Sequence, residues 1–385
     1  MITIKKTTAF LSLFFCLMLS QTISFTFAKS QSYCWENMDP ILKPNVNNHE
    51  MVFDVESEVA IFFLPDENTI YSYSFADNNW TATLSADMPG SEMGMWTGVA
   101  YDPINDIVIT AIGNDAIGDL ETWSYSLNTN TWTNLTNTIA PPIRMGHGLV
   151  YDSTAEKFIL FGGIKEFSWE GDNEFYHDTW TYDSGTNTWT NVTPSVNPIG
   201  RWSFGMVYDS NADKTILFGG GRDIGDGSFG VTDNETWVFD LTTTTWTQLD
   251  TVTSPPTRSH FRMIYDSYND KSMFFGGDQD DFNAQSDTWI FDYERKTWSE
   301  LNCTVHPSKR WSSGIAYNSI THEIILCGGM ISVSPRTFER DTWIFTYDET
   351  CECFPEKTDY SFLAFTIVLL FLGNLILIVR RRKNI

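Results

Sequence analysis

Two kinds of apolar pattern alternate along the chain. Lys157-Phe158-Ile159-Leu160-Phe161 is apolar at consecutive positions, short, and closed by Gly162-Gly163. A run of that length bounded by glycines reads as a strand buried on both faces. Further on, Asp178-Thr179-Trp180-Thr181-Tyr182-Asp183 alternates with period two, the pattern of a strand with unlike faces. Ser184-Gly185-Thr186-Asn187 is a hairpin turn, and Thr188-Trp189-Thr190-Asn191-Val192 a further strand before Pro194 and Pro198 break the chain. Upstream, Gly146-His147-Gly148-Leu149-Val150-Tyr151-Asp152 predicts a short strand ending in a turn. Four short strands joined in this way form one twisted antiparallel sheet.

The unit recurs. Tryptophans nine residues apart appear as Trp123/Trp132, Trp180/Trp189, Trp237/Trp246 and Trp289/Trp298, with Tyr71/Trp80 as a weaker copy and Trp343 alone at the end. The first rings recur every 52 to 57 residues, a period that points to a propeller or solenoid array. Sheets of four strands arrayed radially are propeller blades. Glycine pairs hold the register at Gly162-Gly163, Gly219-Gly220, Gly276-Gly277 and Gly328-Gly329. An arginine (Arg144, Arg201, Arg258, Arg310) stands seven residues before the tyrosine that ends each of those first strands. The first two copies are degenerate, with Leu64-Pro65 and Ile112-Gly113 in place of the glycine pair.

Six rings predict six blades, the last without its fourth strand. Tyr33-Cys34-Trp35-Glu36-Asn37-Met38-Asp39-Pro40 matches the tract from Thr188 to Pro194, so the N-terminal segment is expected to supply that strand and close the ring. The expected fold is all-β, a six-bladed propeller, with one C-terminal transmembrane helix.

The tract F-G-G, then D-T-W-x-Y-D, then T-W resembles the kelch repeat over roughly residues 33–348. The resemblance implies four-stranded blades, with the glycine pair ending the second strand and the rings packing between blades. Glycine suits a place where backbones approach closely or φ is positive. The rings bring large buried area and an N–H or O–H handle.

The ends of the chain read differently. Residues 1–28 carry Lys5 and Lys6, an apolar run from Ala9 to Leu19, and Thr26-Phe27-Ala28, the pattern of a secretory signal peptide. Residues 29–356 are then the propeller ectodomain and 357–360 a juxtamembrane linker. Residues 361–379 are apolar but for Asn374, long enough to span a bilayer, and Arg380, Arg381, Arg382 and Lys383 follow at once. Such cations stay cytoplasmic, so the expected topology is a single-pass protein of the cell membrane, with the propeller outside and 380–385 inside. The net charge is −25, and with the six cations of the two ends set aside the ectodomain is more acidic still, which disfavours nucleic acid.

Five cysteines follow the signal: Cys34, Cys303, Cys327, Cys351 and Cys353. An exported domain permits disulfides, and an odd count leaves one over. Cys34 precedes the closing strand, and counting four from Tyr347, as Thr186 follows Tyr182, reaches Cys351. A Cys34–Cys351 bridge, or Cys34–Cys353, is expected to replace the missing turn. Cys303 and Cys327 are expected toward the opposite face.

Candidate chemistry is sparse. The four arginines begin innermost strands, where they either line the channel, as arginines that clamp a carboxylate do in sialidases, or bond the backbone of their own repeat; recurrence in every strong copy favours the second. Galactose oxidase contains kelch-type blades, but its copper chemistry needs a Cys–Tyr cross-link and Tyr/His ligands, and the histidines here are scattered, with His147 and His260 in packing positions. The loops after the second strands are acidic: Glu170, Asp172 and Glu174; Asp223, Asp226 and Asp233; Asp278, Asp280 and Asp281. They are expected on one disc face as solvated loops and candidate binding residues. No cofactor or metal is expected; Ca²⁺ is the one ion such oxygens suit. The sequence thus predicts a non-enzymatic binding protein that takes a protein or glycan on one face. The alternative is a propeller enzyme, either a sialidase-like glycosidase or a galactose-oxidase-like copper enzyme.

Overall fold

The computed structural model describes residues 33–355 apart from 45–49, 65–66, 86, 90–96, 115–117, 166–172, 225–230, 280–281 and 348–353. Six antiparallel sheets repeat along it. Blade 1 spans 51–84, blade 2 98–134, blade 3 148–191, blade 4 205–249 and blade 5 263–302, while blade 6 joins 314–347 to the N-terminal strand Tyr33–Asn37. That strand pairs antiparallel with Thr342–Tyr347, from Tyr33 opposite Tyr347 to Asn37 opposite Trp343, so the two ends of the domain close the ring as the sequence predicts. The signal segment and the apolar run 361–379 lie outside the described residues, and no described helix is long and apolar enough to cross a membrane.

The consecutive apolar residues of each second strand have a simple cause. A blade has neighbours on both sides, so both faces of its sheet are buried. In blade 3, Phe158 and Leu160 pack into the cluster shared with blade 2, and Ile159 and Phe161 into the cluster shared with blade 4. Six such clusters, one per seam, make the core.

The two tryptophans of a repeat differ in task. Each fourth-strand indole is buried, and five of the six donate across the seam to a threonine of the preceding blade. Trp189 Nε1 donates to Thr122 at 2.8 Å, Trp246 to Thr179 at 2.9 Å, Trp298 to Thr236 and Trp35 to Thr288 at 3.0 Å, and Trp80 to Thr342 at 2.9 Å. The sixth link fails: Trp132 Nε1, at the seam of blades 1 and 2, is buried without a partner. The third-strand tryptophans sit nearer the surface and donate to a carboxylate of their own blade, as Trp180 does to Asp178 at 2.6 Å and Trp289 to Asp287 at 2.7 Å.

The Tyr-Asp pair that ends the first strand also joins blades. Asp102 Oδ1 accepts the backbone N–H groups of Ile104 and Asn105 and so shapes the following turn. The tyrosine hydroxyl of each blade reaches the aspartate of the blade before it: Tyr101 to Asp54, Tyr151 to Asp102, Tyr208 to Asp152, Tyr265 to Asp209 and Tyr317 to Asp266. Burial first, and then nearby carboxylates (Asp106 ahead of Asp54 for Tyr101, Asp102 for Tyr151, Asp270 ahead of Asp209 for Tyr265), hold these three phenols well above their usual range. Phe53 and Asn318 break this ring at the seam of blades 6 and 1.

Candidate functional site

The first strand starts, and the second ends, at the same end of the disc. The long connections therefore gather on one face, and the short turns on the other. On the loop face each regular blade is locked by its arginine. Arg144 donates through Nη2 to Asp178 at 2.9 Å, through Nη1 to the Gly162 carbonyl at 3.1 Å and through Nε to the Pro142 carbonyl at 3.0 Å. Arg258 and Arg310 repeat the pattern with Asp287 and Asp341, and Arg201 with Glu235. All four are buried. They bond their own repeat, and none is left as a clamp for a ligand. Burial pulls the carboxyls of Asp178, Glu235 and Asp341 upward, but the arginine and indole bonds outweigh it and hold all three below the usual range.

The glycine pair lets the next blade sit this close. Gly162 has φ +67°, and a Cβ there would stand 2.8 Å from the Arg201 carbonyl oxygen. That same oxygen accepts the Gly163 N–H at 2.8 Å. Inside this layer a chain of backbone bonds runs from blade to blade. Ser203 N–H donates to Gly146 O at 2.9 Å, His260 N–H to Ser203 O at 2.9 Å, and Ser312 N–H to His260 O at 2.7 Å. It joins blades 3 to 6.

The axial channel encloses about 450 Å³ and is lined by the six first strands, each the end strand of its sheet. Four blades carry glycine where this strand begins, at Gly98, Gly148, Gly205 and Gly314. The position is tight, since a Cβ on Gly98 would lie 2.7 Å from Leu149 Cβ. Blade 1 has Glu50 there and blade 5 has Arg262, as the registers of their first strands with Phe62 and Phe274 require. These two departures meet: Arg262 Nε lies 3.0 Å from Glu50 Oε1, and Glu50 Oε2 accepts the Val99 N–H at 2.7 Å. Burial pushes the Glu50 carboxyl above its usual range, against the pull of Arg262 and the Val99 amide. A polar neck thus spans an otherwise mainly aliphatic and aromatic channel at its loop-face mouth.

Two buried histidines stand nearby. His147 Nε2 accepts the Gly98 N–H at 3.3 Å, and its Nδ1 has no partner. Burial, then the charges of Arg144 and Arg262, lower its pKa to about 3. His260 Nδ1 lies 2.9 Å from both Asp278 Oδ1 and Ser259 Oγ, between the rings of Trp202 and Trp311. Serine and aspartate contact the same ring nitrogen, which is not the arrangement of a hydrolytic triad, where they flank the imidazole.

The acidic-loop candidates separate. Asp233 is 5% exposed and lies 3.3 Å from Arg222; Asp278 is 3% exposed and bonded as above. These two serve the packing of the loop layer rather than standing in solvent. Asp223 is half-buried, its N–H donating to Gly200 O at 2.8 Å, while Asp226, Asp280 and Asp281 lie outside the described residues. Among the described residues no group of three or more His, Cys, Asp or Glu side chains is gathered to hold a metal. Glu50 and Arg262 were not singled out in the sequence. The signal that finds them is their occupation of a glycine position of the repeat.

The cysteine count needs one correction. Phe345 opposes Trp35 as Tyr182 opposes Trp189, so Phe345, not Tyr347, is the third-strand ring. The count to Cys351 therefore starts two residues late. Cys34 opposes Thr346; Cys351 and Cys353 lie outside the described residues, and the Cys34–Cys351 bridge with them.

Residues 107–329 match the KLHDC2/KLHL20/DRC7 Kelch-repeats domain. The solved structure of YjhT is similar in fold, with a TM-score of 0.57 over 81% of this chain and 98% of that one, at 15% sequence identity. At that identity the likeness carries the fold alone. With the glycine pairs and arginine locks in register over blades 3 to 6 and the tryptophan seam bonds at five of the six seams, the chain belongs to the kelch-repeat family.

Proposed function

We propose that this propeller is a non-enzymatic binding protein, held outside the cell by the span 361–379, that takes a protein or glycan at the loop-face mouth of its channel. The observation that carries the reading is the Glu50–Arg262 pair. Every other charged residue of the recurring motif is committed to architecture. These two break the repeat, and they do so where the loops converge on a cavity of about 450 Å³. Small-molecule and peptide sites are commonly concave, mainly apolar, and oriented by a few placed polar groups. The arginines that an arginine-clamp glycosidase would use are already bonded within their blades.

The test is a glycan array and a surface pull-down with the full chain in detergent, comparing wild type with Arg262→Met. Binding is expected to fall tenfold or more with the far-ultraviolet spectrum unchanged. Full binding by a folded Arg262→Met protein would place the site elsewhere. Protease shaving of intact cells tests the topology separately: the propeller should be cut and 380–385 protected.

A further inference from the structure

Three cations of blade 6 differ from nearly all the others in the molecule. Lys309, Arg336 and Arg340 are exposed, and no carboxylate among the described residues pairs with them. Apart from these three and Lys296, every lysine and arginine among the described residues has a carboxylate within ion-pair distance. The surplus of positive charge is local, since the whole chain carries −25.

All three lie in the loop layer. Lys309 precedes the first strand of blade 6, and Arg336 and Arg340 belong to the connection between its second and third strands. The repeat does not ask for them. The residue before the locking arginine is Ile143, Gly200 and Thr257 in blades 3 to 5, and Lys309 in blade 6. The residue before the carboxylate it locks is His177, Asn234 and Ser286, and in blade 6 Arg340. The scaffold beneath is fixed. Ser308 Oγ donates to Glu339 Oε1 and Arg310 Nη2 to Asp341 Oδ2, both at 2.9 Å, so the segments carrying Lys309 and Arg340 run side by side. Trp311 and Met330 exchange backbone bonds at 3.0 and 2.8 Å, which ties the hairpin of Met330–Val333 and Arg336–Phe338 to the same segment. Its foot is packed, with Trp311 and Met330 buried against Ala284. Its tip is not: Val333, opposite Arg336, is 45% exposed. None of the three cations lines the channel.

We propose that this patch is an interaction surface for an extended acidic segment of a partner protein. Like charges gathered in one blade repel, and carboxylates set among them relieve that repulsion. The planar fork of arginine matches the two oxygens of a carboxylate. A broad anionic surface such as a bilayer would also face the rest of a disc of its own sign, and is repelled. One extended segment of chain meets the patch without the disc. Val333 adds an aliphatic contact beside Arg336, which suits a polypeptide with apolar side chains between its carboxylates better than an acidic polysaccharide. The backbone is pinned before binding, so binding orders little more than the three side chains. Exposed ion pairs are individually weak and screened by salt, so the affinity comes from making several at once.

The probe is a fluorescent peptide of alternating glutamate and valine, titrated by anisotropy against the full chain in detergent. Binding is expected at low salt, and combining Lys309→Ala, Arg336→Ala and Arg340→Ala should weaken it about tenfold or more. Lys296→Ala removes the unpaired cation of the opposite face and should leave it unchanged. Changing the three residues to glutamate should transfer binding to a peptide with lysine in place of glutamate, an exchange that a misfolded variant cannot give. Failure of the wild type to bind the acidic peptide up to about 1 mM, full binding by the triple alanine variant, or an equal loss with Lys296→Ala overturns the proposal. So does binding of heparin, or of micelles doped with phosphatidylglycerol, through these three residues in place of the peptide, which would give the surface to a polysaccharide or a membrane.

Discussion

Blades 3 to 6 and blades 1 and 2 are built on the same four strands yet held in different ways. In the regular four, a glycine pair turns the chain sharply out of the second strand, an arginine locks the turn to a carboxylate, and a backbone chain from Gly146 to Ser312 ties the inner ends together. Blade 2 has none of the glycine turn. Its second and third strands run on as Ile107–Asn114 and Asp119–Ser126, paired out to Asn114 opposite Asp119. Blade 1 likewise pairs Leu64 with Thr69. Among the described residues, the arginine-locked loop layer is therefore present over four blades, while in the other two the second and third strands pair further outward. The seam between those two blades is also the one whose indole, Trp132, finds no acceptor. The difference teaches that apolar packing suffices to hold a blade, while the polar motif adds a loop layer above it.

The sharpest way to break this comparison is Arg258→Ala. Arg258 is fully buried and bridges Asp287, Gly276 O and Pro256 O. Removing one partner of a buried ion pair strands the other, at a cost of about 3–5 kcal/mol. Denaturant unfolding of the full chain should show that loss. A change below about 1 kcal/mol would mean that the loop layer adds little to blade 5.

The second test is pH. His147 belongs to blade 3 and accepts an N–H from blade 2, so it sits on the border between the two regions. Its folded pKa is lowered to about 3. The unfolded chain protonates it near its ordinary value, so stability is full above about pH 6.5 and is lost as pH falls toward the folded value. One such group gives a slope of at most about 1.4 kcal/mol per pH unit. Asp178, Glu235 and Asp341, depressed in the fold, add a further loss below about pH 4. Stability that stays flat from pH 6.5 to 5, or a His147→Gln variant with an unaltered pH profile, would remove His147 from this role.

The smallest effect sharpens the comparison most directly. Trp189→Phe removes an N–H that bonds Thr122, and should cost about 1 kcal/mol more than Trp132→Phe, which removes an N–H without a partner. Equal losses in the two variants, measured by thermal unfolding, would show that the seams differ in drawing but not in energy.

The closing strand was legible because Tyr33 to Pro40 repeats a pattern present elsewhere in the chain, and strand pairing needs only that pattern. The roles of the arginines followed from their recurrence. Glu50 and Arg262 were hidden for a physical reason: they are 212 positions apart and meet across an axis that only ring closure creates. Asp233 and Asp278 read in the sequence as solvated loop residues, because burial depends on what packs above a loop and not on its composition.

The sequence by itself determined the blade, the number of blades and the way the ring closes, since each follows from local periodicity and from repeats matched against one another. Tertiary structure alone decided which charges serve the architecture and which meet at the channel mouth. It also decided where the C-terminal strand returns, on the edge of blade 5. Those outcomes depend on blades far apart in the chain being brought to one axis or one rim, and no local pattern encodes that distance.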